Sequence, residues 1–530
     1  MLRFLRTKRF DRILLRLAIT VLTLMVLLYV WVNWSGGRRW AATKALIESD
    51  GETLDFRKLL PETPPEAKNL LAIEPLRGIA LVVDNDPAKG EPGARRKALE
   101  ALNWKQTSVP TANGVALKKY TVVPPSNGVT LGKTTDIQDW IEYLRDTEYM
   151  DLPAGSEVSG REVLIALDAK FPLLKQIADE TANRPLTMLT PGLREREMPE
   201  LLFSMRVPYL TSFQSMGRAL GLRARAAVAA GESAEAARSI VALHRLALGC
   251  EQELFLIGFL VGNSMEMMAL EPLWLGLRER VFAEEDLLLL QAAFAADHST
   301  GALLQAMRGE LAAGLNAVES LQLAASGQRE VDSDVMSAFS TNGQAMGKYF
   351  WRLLPSGLFD HWKSVLVELE LRHLIQPLKS GGLRESVRKG EAVTTELTQN
   401  SSMLLHPDYI FARLMLPAIS TVSSSALAQD ARRQQALAAL ALERFYVKHA
   451  RYPATLAELT PEFLPAIPLD SCDGSPLRYR TTPPGRYMLW SVGLDGKDDA
   501  GKVNLDAKGA AKLYKSPYLG DWTWQYEPVK

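Results

Sequence analysis

A charge-free apolar stretch near the N-terminus, from Leu17 to Gly37, constrains this chain more than any other feature. About 20 apolar residues, each adding about 1.5 Å of helix, are enough to cross a hydrocarbon core of about 30 Å. Tyr29, Trp31 and Trp34 stand where an aromatic belt forms at the membrane surface. The sequence therefore predicts a transmembrane helix that contacts the lipid bilayer through residues 17–37.

The residues before this stretch are basic and indicate its orientation. Segment 1–16 carries six Lys or Arg residues and only Asp11 as an acid, although Arg38 and Arg39 beyond the stretch reduce the asymmetry. The stretch is long for a cleaved signal, and no small-x-small cleavage site follows Trp34. We therefore expect an uncleaved, single-pass signal anchor with a cytoplasmic tail at 1–16 and the rest of the chain outside the cytoplasm.

The composition argues against a nucleic-acid partner and for more than one hydrophobic core. The chain has 61 basic and 61 acidic residues, and no Lys/Arg block interleaved with aromatics lies outside the N-terminus. A nucleic-acid partner is therefore not expected. At 530 residues and 47% hydrophobic content the chain can bury more than one core, so a multidomain protein is predicted.

Residues 38–190 read as a mixed α+β region wrapped in proline-rich loops. Short apolar runs, such as IALVV at 79–83, alternate with one clear helical pattern, DIQDWIEYLR at 136–145. SNGVTLGKTTD is close to a phosphate-binding loop, but Asn127 occupies the position of the first glycine. We expect a polar hairpin there, leading into the helix.

Residues 191–425 show helical periodicity. Leu220–Ala230 and Ala234–Leu248 predict a helical hairpin whose second helix is capped by Ser233. The hairpin resembles one tetratricopeptide-type repeat, but a solenoid needs about three, so an irregular helical bundle is predicted. The apolar segment ELFLIGFLVGNSMEMMALEPLWL contains three glutamates, which favours a buried bundle helix over a second membrane span.

Catalytic signatures are missing from the sequence. It contains no GxSxG, HExxH or GxGxxG motif, and its six histidines are scattered singly. His361 follows Asp360 and His406 precedes Asp408 by two residues, the kind of pairing that can orient a general base, but no nucleophile is evident. No catalytic residue is predicted. The two cysteines form no CxxC pair, and Cys250 reads as a buried small hydrophobic side chain; a disulfide between Cys250 and Cys472 is the alternative, which an oxidising compartment would permit.

The C-terminal region combines several local signals in one order: a helix at 431–450, a short helix begun by Thr455, a turn, the strand RYMLW and the loop SVGLDGKDDAGK. This order resembles the periplasmic domain of the major pseudopilin of type II secretion, over residues 426–505. The residues that match the family's motifs are Tyr452, Pro453, Leu456, Leu459, Pro468, Asp470, Gly474, Pro476, Tyr479, Ser491, Gly493, Asp495 and Gly496.

The resemblance implies a structural calcium ion in the loop after the strand. Asp495 would be one ligand and Asp498 or Asp499 another, with carbonyl oxygens from the strand end, a donor set that suits a hard cation. The alternative is a solvated turn, since Ser471 replaces the family's proline and lysines lie in the loop. An EF-hand fits poorly, because Ala500 occupies the position of its glycine.

The expected architecture is therefore a multidomain α+β chain. It comprises a cytoplasmic tail at 1–16, a transmembrane anchor at 17–37, a mixed α+β region at 38–190, an irregular helical bundle at 191–425 and a small pseudopilin-like α+β domain at 426–530. The resemblance places the anchor in a bacterial inner membrane with the bulk of the chain in the periplasm.

The N-terminus lacks the leader, the Gly-Phe cleavage site and the membrane glutamate of pseudopilins, so a filament subunit is not expected. The sequence favours a non-catalytic, membrane-anchored protein that binds envelope partners, linked to type II secretion. The alternative is a membrane-tethered envelope hydrolase that uses His361 or His406. The sequence does not indicate the oligomeric state.

Overall fold

The structure is a computed structural model that describes most of the chain. The described residues are 8–74, 76, 111–112, 115–116, 128–132, 137–146, 152, 158–189, 209–296, 299–328, 351–400, 402, 405–483, 485–504 and 520–527. The apolar run at 79–83 lies outside them, so its predicted structure is not described.

The described part of the fold is mostly helical, with a two-stranded and a three-stranded antiparallel sheet. In chain order the α-helices are α1 Lys8–Ser49, α2 Phe56–Leu59, α3 Gly128–Leu131, α4 Ile137–Asp146, α5 Gly160–Lys170, α6 Pro172–Glu180, α7 Tyr209–Ala229, α8 Ser233–Glu251, α9 Leu256–Arg278, α10 Glu284–Phe294, α11 Ser299–Ala325, α12 Ser356–Glu370, α13 Gln376–Gln399 and α14 Ile410–His449. The strands are β1 Thr111–Ala112, β2 Val115–Ala116, β3 Arg478–Thr482, β4 Arg486–Ser491 and β5 Trp522–Gln525.

Helix α1 continues without a break from the basic tail, through the apolar stretch and into the body of the protein. Among the described residues, three helical segments are long and apolar enough to cross a membrane, namely Asp11–Ser49, Glu284–Ala325 and Pro407–His449. The apolar window of the first is 0% buried, whereas those of the other two are 31% and 50% buried within the protein. The predicted N-terminal apolar helix is confirmed.

The predicted helical hairpin is also confirmed. Helices α7 and α8 are joined at Gly231, which has a φ of 72° that glycine adopts without strain. The predicted cap is wrong: Ser233 is the first residue of α8, and its hydroxyl instead bonds Asp286 and accepts a hydrogen bond from the Ala283 amide at 2.9 Å. Helix α9 is buried beside the hairpin, as its glutamates predicted.

The helical body contains two main cores. One contains side chains of the mixed region, of helices α7–α10, of the second half of α14 and of the C-terminal sheet, with Leu70, Leu243, Leu440 and Trp524 all 0% exposed. The other lies between α11, α12, α13 and the first half of α14, and it includes Ile47 of α1. A π-helix, Leu371–Ile375, joins α12 to α13, which bends at Gly382 with a φ of 68°.

The small sheet has the order β3-β4-β5, with Tyr479 opposite Leu489 and Leu489 opposite Trp524. It packs against α14, a single helix that runs through the predicted boundary at 425/426. Helix α3, where a polar hairpin was expected, is instead a buried helical turn whose Thr130 carbonyl accepts a hydrogen bond from the Thr523 hydroxyl at 3.0 Å. The C-terminal unit is therefore packed directly against distant parts of the chain.

Candidate functional site

The turn before β3 is organised around one buried carboxylate, Asp470, which is 0% exposed. Its Oδ1 accepts hydrogen bonds from the Ser491 hydroxyl at 2.6 Å and the Cys472 amide at 2.9 Å. Its Oδ2 accepts from the Arg478 guanidinium at 2.6 Å and the Val492 amide at 2.9 Å. Four donors, one of them the Arg478 guanidinium, bind this carboxylate, so Asp470 ties the turn to the end of β4.

The three predicted calcium ligands lie in the loop that follows β4, with different surroundings. Both oxygens of Asp495 accept backbone hydrogen bonds, from Lys497 at 3.1 Å and from Gly520 at 3.3 Å. Asp498 accepts from the Trp490 indole at 2.9 Å, and this bond lowers the pKa of its carboxyl. Asp499 is exposed.

A fourth acid, which the sequence analysis missed, lies beneath this loop. Asp521 is 1% exposed, and its Oδ2 accepts a hydrogen bond from the Gly501 amide at 2.6 Å. Among the described residues its Oδ1 is buried without a hydrogen-bond partner, and burial raises the pKa of the carboxyl. The signal for it was faint: a single acid directly before the alternating strand WTWQ.

The described residues do not gather these acids into a formed metal centre. No three His, Cys, Asp or Glu side chains in the described ranges converge so that they could hold a metal ion. The Arg478 guanidinium, with Nε 3.6 Å from Asp498 Oδ2, supplies positive charge to the same loop. A bound cation would therefore have to compete with Trp490 and Arg478 for Asp498.

The second arrangement that bears on function is the contact between α1 and α12. Asn33 Oδ1 accepts a hydrogen bond from the Gly357 amide at 2.8 Å. Further along, Arg39 bonds Glu368 at 2.8 Å and Asp408 at 3.1 Å. Since these pairs are about 330–370 residues apart in sequence, α1 is fixed to the body by tertiary contacts.

This contact contains His361, one of the two histidines that the hydrolase alternative would place beside a nucleophile. His361 Nε2 lies 3.1 Å from the Ser35 hydroxyl, which also bonds the Val32 carbonyl at 3.2 Å. Burial, followed by the charge of Arg39, lowers the pKa of His361, so the imidazole is neutral at neutral pH. Its Nδ1 is buried and has no partner, whereas a catalytic triad uses a carboxylate there.

Two other described histidines, His244 and His406, contact core or neighbouring side chains. His244 Nδ1 lies 2.7 Å from the Glu266 carboxylate and its Nε2 lies 2.9 Å from the Ala293 carbonyl, all within the core. The His406 ring lies edge-on to Tyr409, 5.9 Å between centroids. Both cysteines are free thiols, and Cys250 is buried as predicted.

Comparisons with protein-family models, with curated proteins and with solved structures found no match to this chain. Two arrangements of residues in this chain therefore bear on its function. One is the acidic loop after β4, and the other is the polar contact that fixes the apolar helix α1 to the body.

Proposed function

We propose that this chain is a non-catalytic, membrane-anchored extracytoplasmic protein that binds envelope partners and is linked to type II secretion. The observation that carries the proposal is the form of α1. Its apolar window is wholly unburied, while its last turns are bonded to α12 through Asn33 and Arg39. A helix built in this way holds the body at a fixed position against the membrane instead of tethering it through a linker.

The C-terminal unit is the partner-binding part in this proposal. Among the described residues, β3 pairs with β4 alone, and its Arg480 and Thr481 are exposed. The opposite strand, β5, is buried and contacts α3. A partner strand or loop would therefore add at the β3 edge, where backbone groups are available for pairing.

The experiment uses the full chain in a bacterium with a type II secretion system. A photo-crosslinking residue replaces Thr481, and Leu186, which is 45% exposed, carries the matched control. We expect Thr481 to crosslink to pseudopilins or to the inner-membrane assembly platform, and Leu186 not to. Equal crosslinking from both positions, or none to secretion components from Thr481, would refute the link to secretion.

Topology is tested separately with a membrane-impermeant thiol reagent on cells with a permeabilised outer membrane. A cysteine at Glu48, which is exposed, should react without lysis, whereas a cysteine at Leu5 in the tail should react only after lysis. The reverse pattern would place the body in the cytoplasm and overturn the proposed periplasmic location.

The structural calcium ion at Asp495, Asp498 and Asp499 remains part of the proposal. The buried, unpartnered oxygen of Asp521 supports it, because a cation above it would offset the burial of that carboxylate. Calcium should raise the melting temperature of the full chain, and Asp495→Ala should abolish the increase. Identical melting with calcium and with a chelator would make the loop a solvated turn.

The Ser35–His361 pair favours a second candidate, a membrane-tethered hydrolase. A fluorophosphonate probe tests it, since only an activated serine hydroxyl reacts. Labelling that requires both Ser35 and His361 would support catalysis. A wild-type chain that stays unlabelled leaves the pair as a contact between helices.

A further inference from the structure

We infer that the body of this protein rests in the interfacial layer of the bilayer, through a membrane-contact face formed by Leu323, Leu353 and Leu405. The inference rests on the proposed membrane anchor and adds the lipid surface as a second, direct partner of the body. It follows from where three helix ends lie relative to α1.

Helix α12 runs parallel to α1 and begins within the predicted span. Gly357, in its first turn, bonds Asn33 at 2.8 Å, and beyond its C-terminal end Gln376 bonds Asp50 at 2.8 Å. Asn33 lies four residues before Gly37, the end of the apolar stretch, which is about 6 Å along a helix. The start of α12 is therefore level with the outer edge of the hydrocarbon core.

Helix α11 runs in the opposite direction and ends at this level. Arg308 bonds Glu52 at 2.7 Å, near the far end of α1, whereas Gln322 bonds the Ser356 carbonyl at 3.1 Å, at the start of α12. The segment that begins α14 also lies near this level, because Asp408 bonds Arg39 at 3.1 Å.

Each of these ends carries an exposed leucine. Leu353, just before α12, is 76% exposed; Leu405, just before α14, is 74% exposed; and Leu323, in the last turn of α11, is 36% exposed. Isolated surface leucines need no explanation, but three at the end from which the apolar helix leaves the body form a surface continuous with it. Arg38, stacked 5.0 Å from the Trp34 ring, supplies a cation at the same level for lipid phosphates.

A bilayer is the occupant that this placement favours. The apolar window of α1 is 0% buried, so in the proposed anchor lipid contacts the side of α1 that α12 does not cover. A monotopic protein buries leucines of this kind about 5–10 Å into the headgroup boundary. Segment 329–350, which joins α11 to Leu353, lies outside the described residues, and cover by that segment is an alternative that the test separates.

The test uses the full chain in vesicles of phosphatidylethanolamine and phosphatidylglycerol that contain a doxyl-labelled lipid. Cys472 is changed to Ser, and buried Cys250 is retained. Single cysteines at Leu353 and Leu405 carry an environment-sensitive fluorophore. Leu24, in the anchor, is the positive control, and Leu288 is the negative control.

Leu288 is a suitable negative control because it is 46% exposed and lies on α10, which contacts the far half of α14 through Glu284 and Arg444 at 2.8 Å. We expect blue-shifted, quenched emission at Leu24, Leu353 and Leu405, and neither change at Leu288. Quenching at Leu24 alone overturns the membrane-contact face and leaves the anchor intact.

Two further outcomes also overturn the inference. A blue shift without lipid quenching at Leu353 and Leu405 would show that protein, including segment 329–350, covers the leucines. No quenching at Leu24 would refute the anchor itself, and with it the proposed function on which the face depends.

Discussion

Replacing Gly36 by alanine should separate α1 from α12. A Cβ at Gly36 would lie 2.1 Å from the Gly357 carbonyl oxygen, and a Cβ at Gly357 would lie 2.2 Å from the Val32 carbonyl oxygen. Both obstacles are backbone atoms, so a helix has to move, and the Asn33–Gly357 hydrogen bond is broken. The steric overlap should cost about 1–3 kcal/mol of stability and the lost hydrogen bond about 1 kcal/mol. The higher helix propensity of alanine offsets only about 0.5–1 kcal/mol of this.

Gly37 provides the matched control, because a Cβ there meets no atom within 4 Å. Gly37→Ala should leave the contact intact and stabilise α1 by about 0.5–1 kcal/mol. Hydrogen exchange of full-length protein in detergent micelles should be faster over residues 38–49 in Gly36→Ala and unchanged or slower in Gly37→Ala. The same exchange rates in both variants would refute the close packing of α1 on α12.

Three more substitutions test buried charges by chemical denaturation of the full chain. Glu251→Gln should stabilise the protein at about pH 8 and not at about pH 4. Burial raises the pKa of Glu251 to about 8 in the folded protein, so the wild type loses stability as the pH rises above the pKa of the unfolded chain. The same change in stability at both pH values would contradict this. Glu370→Met should raise stability by about 1–3 kcal/mol, because neither buried carboxylate oxygen has a hydrogen-bond partner among the described residues. A loss of stability would show that the carboxyl group is needed. Asp470→Ala should lower stability by about 1–3 kcal/mol, since it leaves the buried Val492 amide without its acceptor while Arg478 keeps Asp473, and a near-neutral change would refute its structural role.

Elements with strong local patterns were predictable from the sequence. The predicted helix at 136–145 is α4, Ile137–Asp146. RYMLW forms β4, because its side chains fill the space between the sheet and α14. The short helix predicted after Thr455 is present as Leu456–Leu459. In each case the information lies within about ten residues of the chain.

The candidate site was less predictable because its partners are distant in sequence. Ser35 and His361 are 326 residues apart, and Asp521 lies beyond segment 505–519, which is outside the described residues. Helix α3 was misread for the same reason: its fold depends on β5, which comes almost 400 residues later. A local window cannot show which surface a short segment covers.

One long-range contact, however, is indicated by the sequence of α1 itself. Small and polar residues recur on one face at Asn33, Gly36, Arg39 and Thr43, at the three- and four-residue spacing of a helix surface. All four contact α12 in the structure. A span that faced lipid on all sides would gain nothing from these residues, since glycine weakens a helix and buried polar groups need partners. Their spacing therefore indicates that protein packs against the second half of α1, a geometry that would hold the body close to the bilayer if α1 is the proposed anchor.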